Sequence, residues 1–260
     1  MPKYDMTLRP IHYACVSGGK DSLYMLNLIL HNLDKYPLDM VVNFELEIDW
    51  PFAKNVVDYI EKECTRFGIK FVRIKPRQTW EEIRQYYDGL IPNKQVRWCN
   101  GQYKMDCERQ LHKWIKEQNC RPVAYIGFCA DEQKRFKYTL GQWKEQSVCY
   151  PLAEENIFES TILEWAKNVD LFNDWYKVSR RQGCMFCPMA SMKELAYMKL
   201  YYPEKYKYWI ELVTYRDNHK KTKYPLYGKS IEEVDAIIDK KWIPYVKGCL
   251  SSKIKRKKLF

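Results

Sequence analysis

No stretch of the 260 residues approaches 18 consecutive apolar positions, so nothing in the sequence reads as a membrane-spanning helix. The first residues, Met1-Pro2-Lys3-Tyr4-Asp5-Met6, lack the apolar segment of a secretory signal, and the expectation is a cytoplasmic protein. Internal repeats and low-complexity linkers are also missing, which sets aside repeat architectures. The ten cysteines do not read as a disulfide framework, because such frameworks belong to small secreted domains. Cys15, Cys64, Cys120, Cys129 and Cys149 fall in apolar or amphipathic runs and are expected to be buried, reduced thiols behaving as small hydrophobes.

What the chain does have is apolar mass and positive charge. Hydrophobic residues make up 46% and aromatics 15%, enough for a packed core and against overall disorder. Lys and Arg exceed Asp and Glu by 44 to 33, a formal +11 that favours polyanionic partners, either nucleotides or nucleic acid. Part of the excess sits in Lys253-Ile254-Lys255-Arg256-Lys257-Lys258 and in His219-Lys220-Lys221-Thr222-Lys223. A solvated tail is the plain alternative for such a terminal run.

Residues 17–22 read Ser17-Gly18-Gly19-Lys20-Asp21-Ser22, between the apolar run Tyr13-Ala14-Cys15-Val16 and the helical pattern that begins at Leu23. Strand, glycine turn and helix start in that order put free backbone N–H groups and a positive helix end at one point, an anion site suited to phosphate. The two glycines admit a close approach, Ser17 and Ser22 add hydroxyls, Lys20 adds a point charge, and Asp21 can hold Mg2+. An ordinary capped helix start is the alternative, but a cap needs one such residue and not six. Walker A is excluded because its first glycine position holds Ala14 and Asp21 follows Lys20; GxGxxG is absent. The hexapeptide resembles the PP-loop of ATP pyrophosphatases, which implies cleavage of ATP between its α and β phosphates.

Apolar and helical segments alternate along the first part of the chain. Strands are expected over residues 12–16, 39–44, 69–74, 123–128 and 148–152, with helices over 21–33, 52–67, 80–87 and 105–118. Short helices dominate from about Phe158, over 161–168, 171–178, 192–201, 203–213 and 231–240. The expected fold class is α/β, a doubly wound, mostly parallel sheet in residues 1–155 with a small helical C-terminal subdomain in 156–260. In such sheets ligands bind at the carboxyl ends of strands, where the loop after strand one lies. Phe44, Glu45, Glu47 and Asp49 follow strand two, where an adenosine can pack.

A second chemical feature is Gly183-Cys184-Met185-Phe186-Cys187-Pro188. Two thiolates at this spacing reach one metal centre without strain, and the preceding Arg180 and Arg181 favour thiolate. Further ligands must come from elsewhere, and Cys99, in Arg97-Trp98-Cys99, is the best candidate. A helix from 99 to 107 would place Cys107 ~12 Å away along its axis, too far for one cluster. Cys249 is a possible fourth ligand or redox thiol. An iron–sulfur cluster, zinc, and a redox or structural thiol pair all remain open.

Four blocks in order then resemble the phosphoadenosine-phosphosulfate (PAPS) reductase family, over about residues 10–200. They are Ser17–Ser22; Arg97, Trp98, Cys99 and Lys104; Gly127, Ala130, Asp131, Glu132 and Arg135; and Gly183 to Pro188, with Tyr150-Pro151-Leu152 a further likeness. The resemblance implies an adenine-nucleotide α-hydrolase fold and, in many members, a 4Fe–4S cluster on such cysteines. Asp131 and Glu132 follow a predicted strand and suit metal or ribose, and Arg135 suits phosphate; a surface turn with a salt bridge is the alternative. Candidate catalytic residues are Lys20, Asp21, Asp131 and Glu132. Nucleotide-binding candidates are Ser17, Gly18, Gly19, Lys20, Asp21, Ser22, Lys104 and Arg135, and metal candidates are Cys99, Cys184 and Cys187.

Three departures from the reductases stand out. The late Glu-Cys-Gly-x-His segment is missing, Cys249 being flanked by Gly248 and Leu250; a Cys-Cys pair is replaced by Cys99-Asn100; and the loop keeps every residue that attack on an α-phosphate would use. The resemblance therefore points to an ATP-using relative that transfers sulfur to an acceptor, nucleic acid in one branch, with a sulfur-donor protein as a further partner. Three cysteine ligands would leave one iron open for sulfur. A reductase acting on PAPS or adenylyl sulfate, with Cys249 and an external thiol, is the second reading. A non-catalytic nucleotide- or nucleic-acid-binding module is the third.

Overall fold

The computed structural model describes residues 5, 7–94, 96–136, 147–219 and 228–251. Both basic runs fall wholly or mostly outside them, at 253–258 and 220–223. The chain forms two compact units, each drawing on three separate stretches. The first comprises the described residues of Met1–Leu46, Pro51–Arg77 and Lys104–Ala166; the second comprises those of Glu47–Trp50, Gln78–Tyr103 and Lys167–Phe260.

The first unit is a five-stranded, all-parallel sheet in the order β3-β2-β1-β4-β5, so the fold is α/β and doubly wound. The strands are β1 (Pro10–Val16), β2 (Met40–Phe44), β3 (Lys70–Ile74), β4 (Arg121–Tyr125) and β5 (Ser147–Cys149). In register, Tyr13 sits beside Met40 on one side and Ala124 on the other, so β1 is the central strand. Side chains alternate across it. Ile11 and Tyr13 join Met40, Val42, Leu111, Ile115, Cys120 and Ala124 in one core beneath α4 (Met105–Glu117). Ala14 and Val16 point to the opposite face, where right-handed crossovers place α1 (Lys20–Leu30) and α2 (Pro51–Arg66).

Local chemistry accounts for the helix ends. Pro51 opens α2 where its missing N–H is not needed, and Val56, Val57, Ile60 and Cys64 form the buried stripe. At the start of α4, Asp106 takes the Arg77 backbone N–H at 2.9 Å and its guanidinium at 3.0 Å, anchoring the helix to the end of β3. Two sequence expectations shift here. The fifth strand was expected to reach Leu152, but Pro151 at the first helical position starts α5 (Pro151–Glu154), which buries Leu152. Strand four ends at Tyr125 and not Phe128.

The second unit is helical. It contains α3 (Trp80–Tyr86), a π-helical turn (Cys99–Lys104) that leads into α4, α7 (Trp175–Val178), α8 (Met192–Tyr201), α9 (Pro203–His219), α10 (Ile231–Ile237) and α11 (Ile243–Ser251). The intervening α6 (Glu159–Lys167) belongs almost wholly to the first unit. Thr79 and Glu82 close a capping box on α3. The expected helix over 171–178 is instead a 3-10 turn (Asp170–Phe172) and α7, because Asn173 and Asp174 both take left-handed backbone with φ of 46° and 58°. The expected helix 231–240 turns π-helical at Ile238 and then continues as α11, which the periodicity did not show. Buried aromatics bind the unit together: Trp175 packs 4.7 Å from Trp50 and edge-on to Tyr197 at 5.0 Å.

Ile115, fully buried beneath the sheet, measures how much that cover contributes. Ile115→Ala is expected to lower the unfolding free energy in urea by about 2–5 kcal/mol. A loss under about 1 kcal/mol would mean that α4 does not close this core.

Candidate functional site

The loop after β1 is shaped by what it cannot hold. Gly18 has φ of +72°, and a Cβ there would lie 2.5 Å from the Ala53 carbonyl oxygen. Gly127, just after β4, also runs close to the start of α1, where a Cβ would lie 3.0 Å from the Asp21 carbonyl oxygen. Asn43 on β2 donates to the Val16 carbonyl at 2.7 Å and fixes the strand end that the loop leaves. Gly19 is the N-cap of α1, so no side chain caps the helix. Ser22 Oγ bonds within the loop, to the Ser17 N–H and the Gly19 carbonyl. An uncapped N-terminus thus lies at the carboxyl end of the central strand, where β1 and β4 diverge, the place at which open α/β sheets offer free backbone N–H groups to an anion.

Lys20 is buried at 2% exposure, and its ammonium is 2.6 Å from Asp21 and 3.7 Å from Glu159. A buried cation needs such partners. Burial raises the Asp21 carboxyl above its ordinary value, Lys20 pulls it down, and Glu132 and Glu159 push it up again. Asp131 accepts the Glu159 backbone N–H at 3.1 Å at the start of α6. Glu132 accepts the Cys129 N–H at 3.0 Å and pairs with Arg135 at 2.5 Å, while the Arg135 guanidinium lies 3.9 Å over the Phe128 ring. Lys20, Asp21, Asp131, Glu132 and Arg135 thus share one neighbourhood. Glu159 and Cys129, which sequence reasoning had not singled out for this site, belong to it.

Cys129 is buried as expected, yet its thiol faces Asp21 at 3.8 Å, and burial with that charge pushes it up to about 12. Lys104, also in the first unit, lies at the start of α4. Its charge acts on Cys15, Cys107 and Glu108 at the carboxyl end of β1, on the face opposite α1. Cys107, set aside as a ligand, is fully buried and donates to the Ile74 carbonyl. Of the residues after β2, Phe44 packs on the α4-side core, and the Glu47 carboxylate accepts the Trp80 backbone N–H at 3.0 Å.

The second unit carries the three candidate ligands. None of the ten cysteines is in a disulfide, and Cys99, Cys184 and Cys187 are all partly exposed. Burial and the neighbouring Cys187 raise the Cys99 thiol, and Arg97 opposes them. The Met189 N–H points to Cys187 Sγ at 3.4 Å. Among the described residues, no three His, Cys, Asp or Glu side chains stand ready around a single metal ion. What fits an iron–sulfur group is the donor set: three accessible thiols, a backbone N–H to sulfur, the cations Arg97 and Arg181 nearby in sequence, and two buried indole N–H groups without partners, on Trp80 and Trp98.

No protein-family model matches the chain. Over 203 residues it is 24% identical to the uncharacterized protein MJ0973 of Methanocaldococcus jannaschii, covering 76% of this chain and 46% of that protein. Over 224 residues it is 28% identical to the uncharacterized protein MJ0066 of the same organism, covering 83% and 44%. The chain therefore spans about half the length of the curated relatives it matches. A solved structure, the U34-tRNA thiolase NcsA from Methanococcus maripaludis with its 4Fe–4S cluster, aligns over 87% of this chain and 80% of that one, at 17% identity and a TM-score of 0.38. A likeness of that degree carries no argument about function. No helix among the described residues is long and apolar enough to cross a membrane.

Glu108 is the residue least visible from sequence, where it reads as one more helix-surface charge. Burial raises its carboxyl to about 7, against the pull of Lys104 and Arg109. A raised carboxyl is protonated in the folded state while still ionised in the unfolded one, so it lowers stability as pH rises from its ordinary range to about 7. One turn on, His112 is pushed down to about 4 by burial and acts in the opposite sense, losing stability as pH falls. Comparing Glu108→Gln with wild type isolates the carboxyl. The variant is expected to be more stable than wild type at pH 8, by up to about 1 kcal/mol, and indistinguishable from it at pH 4. Equal stability at both pH values would remove the buried-carboxyl reading.

Proposed function

We propose that this chain is the PP-loop and cysteine-bearing part of an ATP-dependent sulfurtransferase related to the PAPS reductase family, acting on a nucleic-acid acceptor with release of AMP and pyrophosphate. The observation that carries the reading is the Ser17–Ser22 loop at the carboxyl end of the central strand, opening an uncapped helix with a buried lysine beside it. The family likeness of the Cys99, Asp131 and Cys184 blocks adds to it. The +11 charge suits a polyanionic acceptor.

In this reading the loop N–H groups and Lys20 hold the β- and γ-phosphates, stabilising charge that develops on the leaving pyrophosphate. Lys20 is neutralised by Asp21 and Glu159, so an arriving phosphate takes over part of that pairing. Asp21 is then freed to hold Mg2+, with Asp131 and Glu132 close by. An acceptor oxygen attacks the α-phosphorus and expels pyrophosphate, and sulfide-level sulfur then displaces AMP, leaving sulfur where the oxygen was. Cys99, Cys184 and Cys187 would hold a 4Fe–4S cluster, which supplies the site from which sulfur is delivered.

Lys20→Ala is expected to reduce pyrophosphate release from ATP at least about 100-fold, measured with nucleic acid present. Unchanged release in that variant would sink the loop assignment. Anaerobically purified protein is expected to be brown, with about four irons per chain, and Cys184→Ser with Cys187→Ser to be colourless. Thiol-dependent sulfite release from adenylyl sulfate or PAPS would favour the reductase reading instead.

A further inference from the structure

Four tryptophans frame the cysteine loop of the second unit, and their indole N–H groups fall into two classes. Trp50 donates to the Gly183 carbonyl at 2.8 Å, and Trp175 donates to the Arg181 carbonyl at 2.9 Å. These two fix the backbone that presents Cys184 and Cys187. Trp80 and Trp98 are as deeply buried, at 4% and 3% exposure, yet neither indole N–H has a hydrogen-bond partner. A buried donor without a partner costs roughly 1–3 kcal/mol.

Their positions tie both orphans to the thiols. Trp98 immediately precedes Cys99. Trp80 packs 4.6 Å from Trp98 and 6.3 Å from Phe186, which lies between Cys184 and Cys187. The two indoles therefore touch both segments that carry the candidate ligands. Cluster sulfides and thiolates are acceptors, and donors directed at them stabilise the reduced, more negative state.

We propose that the Trp80 and Trp98 indole N–H groups are hydrogen-bond donors to the sulfur atoms of an iron–sulfur cluster held by Cys99, Cys184 and Cys187, and so set its reduction potential. The proposal rests on the cluster reading above. It makes both tryptophans positioning residues and assigns them no part in bond making.

The experiment uses the whole chain, reconstituted anaerobically with iron and sulfide, as wild type, Trp98→Phe and Trp80→Phe. Loaded variants are expected to show a more negative midpoint potential. In wild type carrying 15N-labelled tryptophan, the two indole N–H signals identified by their loss in Trp80→Phe and Trp98→Phe are expected to shift or broaden on loading. Where one variant fails to fold, the other still gives both the assignment of its indole signal and a midpoint potential. A wild type that loads no cluster overturns the cluster reading and this inference together. A wild type that loads, with potentials unchanged in both variants, overturns this inference alone.

Discussion

The absence of a side chain at Gly18 is the constraint from which the geometry of the candidate nucleotide site follows. With φ of +72° and the Ala53 carbonyl pressed against it, the residue lets the chain leave β1 and enter α1 with no room for a methyl group. That turn puts the α1 N-terminus directly beyond the central strand. Asn43 on the neighbouring strand holds the last β1 carbonyl, and Gly127 after β4 admits the helix start from the other side. Three adjacent strands thus converge on one helix N-terminus, where the order β3-β2-β1-β4-β5 makes β1 the point of divergence.

Electrostatic compensation shapes the rest of that neighbourhood. Lys20 is nearly inaccessible and is stable there because Asp21 and Glu159 neutralise it. The carboxylates have secondary duties: Asp131 anchors the start of α6, and Glu132 caps the turn at Cys129 while restraining Arg135. A polyanion entering this site replaces existing pairings, so its affinity reflects exchange of partners for the lysine and release of carboxylates.

The second unit divides labour among tryptophans of one chemical type. Trp50 and Trp175 spend their N–H groups on carbonyls of the Arg181–Gly183 stretch, and Trp80 and Trp98 keep theirs. Interiors satisfy most of their donors, so two unpaired indole N–H groups beside the cysteine segments are a departure from the rule.

The sequence by itself determined the alternation of strands and helices, the glycine loop at 17–22, and the two cysteine segments, because periodicity, glycine and short spacing are local properties. It placed α1, α2, α4 and α8 within a few residues. It missed the split at Asn173 and Asp174, where left-handed backbone interrupts an apolar run, and the helix start at Pro151, where proline chemistry outweighed an extended pattern. Tertiary structure alone decided the strand order, the burial of Lys20 between Asp21 and Glu159, the Cys129 thiol facing Asp21, and the raised carboxyl of Glu108. Each depends on residues far apart in sequence meeting where water is excluded, and the energy of a charge or donor is set by that meeting rather than by its neighbours along the chain.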